Sequence, residues 1–560
     1  MKTQNQKRYL ILLALVLVLA VQTVMMGYFG QKKAGYHVDE VYTYELSNYP
    51  GTFFSETEGF LDTWVDGSFF QESMSVDGLG DLDYSIPYHN QENDVHPPIY
   101  YFVIHTVSAL FHGDVSKWIG ILPNMFFCLL TTVLLYLVAA RLFPNRVLAL
   151  LAAAMWAWSV GAMTTAVFIR MYALLTCIAT ALVLVHLKAL EDVRRGKLRK
   201  RTAVLLFVVT LLGILTQYYF LVFCFFLCGI FFFYLCATRR WKLLGVYTVL
   251  EGGALCAAVV LFPKMLFHIF GGYRGKQAFG SMATKEGTLD GLKKVASTIS
   301  RQLFNGWLKE CILLVVAVVV VYFLVKHVLH LRLFPKGEEV GMAVEMDVHM
   351  DRKLRLHISH VDVAVTLLGV VAVGYWGLVG KVAPYKTDRY FFCIYPLIVL
   401  CMVYLGYRTL MLLVRNPQRS TIALAVVALG ITAMSYRTQT VNYLFLETNQ
   451  RAQELAGYEE YPVIILSVQG TPEFADAQAM EFPEHSQIYR CGGKDFAALS
   501  DAVESKDLDG GFLLFIRDFG KMSQEEIQEQ VEAQLDLDQF ELLTRIGCNV
   551  YFCTLEEAAS

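Results

Sequence analysis

Between residues 9 and 437 the chain returns again and again to apolar runs of about twenty residues, the length that crosses a bilayer as a helix. The runs long enough are 9–29, 118–140, 147–168, 171–190, 202–236, 243–262, 309–328, 361–380, 389–411 and 419–437. Residues 202–236 contain Thr216-Gln217-Tyr218 and read as two short spans meeting at that polar point, which makes about eleven. With 56% hydrophobic and 17% charged residues among 560, a soluble globular protein is excluded in favour of an all-α polytopic membrane protein. The first run follows Lys2, Lys7 and Arg8, lacks a small-x-small cleavage site, and reads as an uncleaved span.

Lysine and arginine orient the spans. The segment 191–201 ("EDVRRGKLRKR") holds six of them and is placed in the cytoplasm, with 141–146, 238–242, 326–355 and 415–419. Residues 36–98 carry thirteen acids and no Lys or Arg, and are placed outside. One apolar stretch then fails to fit. Residues 99–111 follow Pro97-Pro98, and a helix there reaches only about 21 Å against a hydrocarbon core of about 30 Å. Counting crossings back from 191–201 gives the same answer: this stretch cannot cross, and reads as a helix lying on the outer interface. The polar tail contains strand-like "PVIILSV", "GFLLFI" and "NVYFCT" and a helical "SQEEIQEQVEAQL". The expected division is a membrane domain over 1–437, with an external first loop at 30–117, and a small external α/β domain over 438–560.

That topology collects unusual polar residues on the outer side. They are Asp39 and Glu40, His96, Arg170 and Tyr172, Gln217 and Tyr218, and Lys386, Asp388 and Arg389. Each has an ordinary explanation: arginines anchor span ends, tyrosines populate the interface, and an acid in an acidic loop is solvated. Together they combine a carboxylate suited to a general base with cations suited to a lipid-linked phosphate. Nine of the twelve cysteines lie in apolar runs, and Cys491, Cys548 and Cys553 lie in the tail. No C-x-x-C or zinc spacing occurs, so a structural zinc site is not expected. Nothing in the chain points to nucleic acid.

The order of an external "DE", an acidic loop, "HPPIYYFVIH", "RMYALL", "TQYYF" and "DRYFFCIYPLI" resembles bacterial GT-C membrane glycosyltransferases of the family 39 and protein O-mannosyltransferase-like group. The resemblance covers about residues 1–440. It implies inverting transfer of a sugar from a polyprenyl-phosphate donor to an acceptor hydroxyl at the outer face. It carries the catalytic acid of the first loop onto Asp39, with Glu40 beside it and Asp94 the next candidate. It makes His96, Arg170, Tyr172, Gln217, Tyr218, Lys386 and Arg389 the residues expected to bind donor phosphate and substrate. Some members of the fold class use a divalent cation, for which Asp39, Glu40 and His96 are the available ligands. The segment 263–308, with Arg274 and Lys276, departs from the pattern and reads as a lid over acceptor or lipid tail. The tail after 440 is not covered.

Two other classes compete. A transporter or flippase of envelope precursors concentrates polar groups near the midplane, often in repeats; neither is read here. A scaffold would place its function in the tail. The topology is testable directly. A cysteine introduced by Asp114→Cys should react with a membrane-impermeant maleimide in intact cells, above the background of the parent protein. Reaction only after permeabilisation would overturn the crossing count.

Overall fold

The computed structural model describes residues 2–51, 61–283, 288–324, 359–468, 477–518 and 521–556. The basic segment 326–355 lies outside them. The helices are α1 (Lys2–Lys32), α2 (Val38–Asn48), α3 (Ser68–Met74), α4 (Ser85–Asn93), α5 (Ile99–Leu110), α6 (Lys117–Leu142), α7 (Arg146–Ala157), α8 (Val160–Val167), α9 (Tyr172–Arg194) and α10 (Lys200–Ile214). They continue with α11 (Phe220–Ala237), α12 (Trp241–Leu261), α13 (Lys264–Phe270), α14 (Tyr273–Ala283), α15 (Thr288–Phe304), α16 (Leu308–Phe323), α17 (His360–Val382), α18 (Tyr395–Val414), α19 (Pro417–Thr438) and α20 (Leu446–Glu454). A 3₁₀ turn, Asp388–Ile394, leads into α18. The helical membrane protein with a strand-containing tail expected from the sequence is borne out. The chain forms two compact units: Met1–Val24, Phe127–Thr165 and Tyr172–Thr440, and then Met25–Phe126, Ala166–Met171 and Val441–Ser560.

The first unit holds the membrane bundle. Eight helices among the described residues are long and apolar enough to span, or ten if each of two bent pairs is one span. The sequence count of about eleven differs at α10, whose 15 residues reach only about 22 Å. The polar point at 216–218 does separate α10 from α11. The run 147–168 breaks into α7 and α8, bent by 52°. Ser159 marks the break: its Oγ donates to Trp156 O at 2.8 Å and accepts from Ala162 N at 3.0 Å, replacing the helical pattern locally. The span window of α9 is 78% buried against 17% for α12, so α9 is the core of the bundle and α12 its rim. Inside this bundle Thr132 Oγ1 on α6 donates to Gln22 Oε1 on α1 at 2.8 Å, a polar tie between spans where water is absent.

The second unit joins the first loop to the tail through a sheet. Its strands are β1 (Trp64–Asp66), β2 (Val463–Ser467), β3 (Gln487–Arg490), β4 (Phe512–Arg517), β5 (Leu537–Thr544) and β6 (Asn549–Leu555), in the order β1-β3-β2-β4-β6-β5. The middle strands β3, β2 and β4 are parallel, and β1, β6 and β5 pair antiparallel. Every residue of β2 is buried, as a central parallel strand covered on both faces requires. One face packs Ile464, Leu466, Leu514 and Tyr551 with Leu499 and Ile527 from two short helices. The strands expected at 462–468, 511–516 and 549–554 are present as β2, β4 and β6. The edge strand β1 comes from the first loop: Trp64 rests on Tyr489 with ring centroids 5.4 Å apart, and its Nε1 donates to Ala502 O at 3.2 Å.

Helix α5 has 12 residues and stays below spanning length, as expected. Behind it Tyr100 donates to Asn124 Oδ1 at 3.0 Å, and Asn124 Nδ2 donates to Phe168 O at 2.7 Å. Gly120 on α6 lies so close to Ile169 that a Cβ would sit 2.0 Å from Ile169 Cγ2. Gly120→Ala must therefore push the 168–170 segment aside, at a cost of about 1–3 kcal/mol. The expected result is a lower thermal unfolding midpoint in detergent. An unchanged midpoint would show that this approach is not tight.

Candidate functional site

The site in the second unit is built on the turn that starts α2. His37 caps the helix: its Nδ1 accepts from Asp39 N at 3.0 Å, and the Glu40 carboxylate accepts from His37 N at 2.7 Å. This capping box fixes two adjacent carboxylates in opposite environments. Glu40 turns inward and is fully buried. Its Oε2 meets Lys33 Nζ at 2.8 Å, and its Oε1 accepts from Ile169 N at 2.7 Å. Lys33 Nζ also donates to Tyr443 O at 2.7 Å. Burial pushes the Glu40 carboxyl up and the Lys33 ammonium down, and their mutual attraction opposes both shifts. Asp39 keeps 24% of its side chain exposed, with Oδ2 3.7 Å from His37 Nδ1.

Arg170 stands behind Asp39. Its Nη1 is shared among Asp39 O at 2.9 Å, Thr43 Oγ1 at 3.1 Å and Tyr101 OH at 3.2 Å. Only 4% of Arg170 is exposed. Asp94 Oδ2 and His96 Nδ1 lie 2.9 Å apart, both side chains mostly buried. Burial would raise the Asp94 carboxyl, but His96 and the more distant Arg170 outweigh it and hold Asp94 below the usual carboxylate range. Burial pushes the Tyr101 hydroxyl up against the pull of Arg170, and the charges of Asp94 and Asp39 both reach it. The second unit thus brings together Asp39, Glu40, Asp94, His96 and Arg170.

The remaining sequence-derived residues belong to the first unit. Tyr172 is buried edge-on against Tyr390 and Phe392. Tyr218 OH and His268 Nδ1 are 2.8 Å apart, and the nearby Gln217 is buried. Lys386 Nζ donates to Ala383 O at 2.8 Å and Lys381 O at 3.3 Å, at the C-terminal end of α17, and burial lowers its ammonium. Asp388 accepts from Gln302 Nε2 at 2.6 Å, and Gln302 in turn accepts from Tyr395 OH at 2.7 Å, which holds the 3₁₀ turn against α15. Arg389 lies over the Tyr390 ring at 5.4 Å. The charges of Arg389 and Arg274 both act on the Tyr219 hydroxyl. Arg274, from the segment without a motif, is therefore a second cation of this patch.

Sequence reasoning missed Lys33, His37, Thr43 and Tyr101. Lys33 looked like flanking charge after a span, and only its burial distinguishes it. The expected cation ligands Asp39, Glu40 and His96 do not gather: among the described residues, the one group of at least three ligand atoms within 4.8 Å of one another is His186, Cys228 and Glu251.

Residues 95–266 match the family model for dolichyl-phosphate-mannose-protein mannosyltransferase. The glycosyltransferase resemblance is borne out there. The matched segment includes His96, Arg170, Tyr172, Gln217 and Tyr218. Among solved structures, ArnT from Cupriavidus metallidurans bound to undecaprenyl phosphate is 13% identical, with 97% of this chain and 98% of that one covered, at a TM-score of 0.49. The oligosaccharyltransferase AglB from Archaeoglobus fulgidus, in complex with an inhibitory peptide and a dolichol-phosphate, is 11% identical over 97% and 74%, at 0.44. No curated protein matches significantly.

The two carboxylates should separate experimentally. Glu40→Gln leaves Lys33 buried without its counter-charge, which costs about 3–5 kcal/mol. The expected outcome is loss of folded protein or a large drop in thermal midpoint. A midpoint close to wild type would show that Glu40 is not a structural anchor.

Proposed function

We propose that this protein is a membrane glycosyltransferase that moves a sugar from a polyprenyl-phosphate donor to an acceptor hydroxyl, with inversion, and that Asp39 is its base. The observation carrying the reading is the opposite fate of the two neighbours. Glu40 is bonded on both oxygens and buried, while the Asp39 carboxylate stays part-exposed on a helix turn that Glu40 and Arg170 hold in place. The family match over 95–266 supports the same chemistry.

In this reaction the acceptor oxygen gives its proton to Asp39 as it attacks the anomeric carbon from the face opposite the phosphate. The bond from that carbon to the phosphate oxygen breaks, and the lipid phosphate leaves with the bonding pair. Cations stabilise its growing charge. The sequence resemblance names Lys386 and Arg389 as cations for that task, and Arg274 acts on the same Tyr219 hydroxyl as Arg389. Arg170 is reassigned from phosphate binding to positioning, because its Nη1 bonds hold the backbone and side chains around Asp39. His96 keeps Asp94 paired. The Lys and Arg distribution puts the N-terminus in the cytoplasm, and the first loop and tail outside.

The test is transfer from a synthetic polyprenyl-phosphate sugar to an envelope acceptor extract by purified protein. Asp39→Asn should lower turnover about two to four orders of magnitude with unchanged thermal midpoint, the usual range for a lost base. Near-normal turnover would remove Asp39 from the chemistry. A transporter of lipid-linked precursors would give no donor-dependent product at all.

A further inference from the structure

Halfway along the bundle, three spans bring unlike side chains to one point. His186 on α9, Cys228 on α11 and Glu251 on α12 each offer one ligand atom, and these atoms all lie within 4.8 Å of one another. We propose that they bind a divalent transition-metal ion, zinc by donor type, which clasps the rim helices α11 and α12 to the buried α9.

Several observations support a metal over a plain polar contact. The His186 ring is oriented as a ligand would be: Nδ1 bonds Leu182 O at 2.9 Å on its own helix, which fixes Nδ1 as the protonated nitrogen. Nε2 is left with its lone pair, facing the Tyr247 hydroxyl at 2.9 Å. Both carboxylate oxygens of Glu251 are buried and make no well-aligned hydrogen bond, with the Thr210 hydroxyl standing beside them. An acid inside a span is expensive unless its charge is matched. No lysine or arginine occurs within α11, and in α12 Lys242 lies at the far end from Glu251.

Charge arithmetic favours the ion. One thiolate and one carboxylate balance a divalent cation, and the imidazole adds none, so the loaded site is neutral in a low-dielectric surround. Nitrogen, sulfur and oxygen donors suit zinc better than magnesium or calcium, which take oxygen. Cys224 lies one turn before Cys228 on α11, and the neutral Tyr247 hydroxyl faces His186. The ligands come from three helices far apart in sequence, which is why no local cysteine spacing announces them. This site is independent of the glycosyl-transfer reading.

The experiment uses full-length protein purified in detergent with a tag free of histidine. The protein is loaded with zinc, desalted, and its metal measured by mass spectrometry; in parallel it is loaded with cobalt and its absorption recorded. The expected result is about one zinc per chain and a near-ultraviolet thiolate-to-cobalt charge-transfer band. Cys228→Ser should abolish the band and Glu251→Gln should lower zinc content at least about tenfold, while Cys256→Ser, at an exposed thiol on α12, changes neither. Wild-type protein that retains no stoichiometric zinc and shows no band overturns the proposal, whether or not the variants fold. A band that survives Cys228→Ser overturns it too.

Discussion

A lysine and a glutamate seven residues apart, both closed off from water, hold the second unit in register. Placing two charges in a low-dielectric interior is costly, and attraction between them offsets that cost only when the remaining donors and acceptors are also matched. Here they are. Glu40 takes the Lys33 ammonium and the backbone N–H groups of His37 and Ile169, and Lys33 takes Tyr443 O as well. One ion pair thereby ties four distant points of the chain: the end of α1, the start of α2, the turn that carries Arg170, and the entry to the tail.

That alignment has a chemical consequence. Adjacent residues on a helix point about 100° apart, so once Glu40 is committed to the interior its neighbour Asp39 is directed toward the surface. The same turn exposes Asp39 O to Arg170, whose Nη1 reaches Thr43 and Tyr101 as well. A base needs a reproducible position more than it needs a strong field around it. The buried acid supplies position, and its neighbour keeps part of its side chain at the surface.

Much of the architecture was legible in the sequence. The long apolar runs had to be helices, and 99–111 was too short to be a span. Breaks within runs were less legible. Ser159 is a small polar residue in an otherwise apolar stretch, and its two backbone bonds become visible only in the folded α7–α8 turn. Strand β1 was invisible because three residues carry no alternation; Trp64 becomes a strand residue by pairing with Tyr489. In the site, the family resemblance carried the first-loop acid onto Asp39, but nothing in the sequence showed that its neighbour Glu40 is buried against Lys33. Arg170 was recognised as unusual, but a sequence does not show that its Nη1 bonds Asp39 O, Thr43 and Tyr101.

Hydrophobic length and charge segregation act locally, residue by residue, so the amino-acid order alone settled that the chain is a helical membrane protein with a polar α/β tail. Which ionisable groups are buried is a different kind of fact. It depends on what approaches from elsewhere in the chain: the Ile169 N–H and Tyr443 O at the Lys33–Glu40 pair, or His186 and Cys228 beside Glu251. The desolvation of a charge is set by all its surroundings at once, and only the tertiary structure brings those surroundings together.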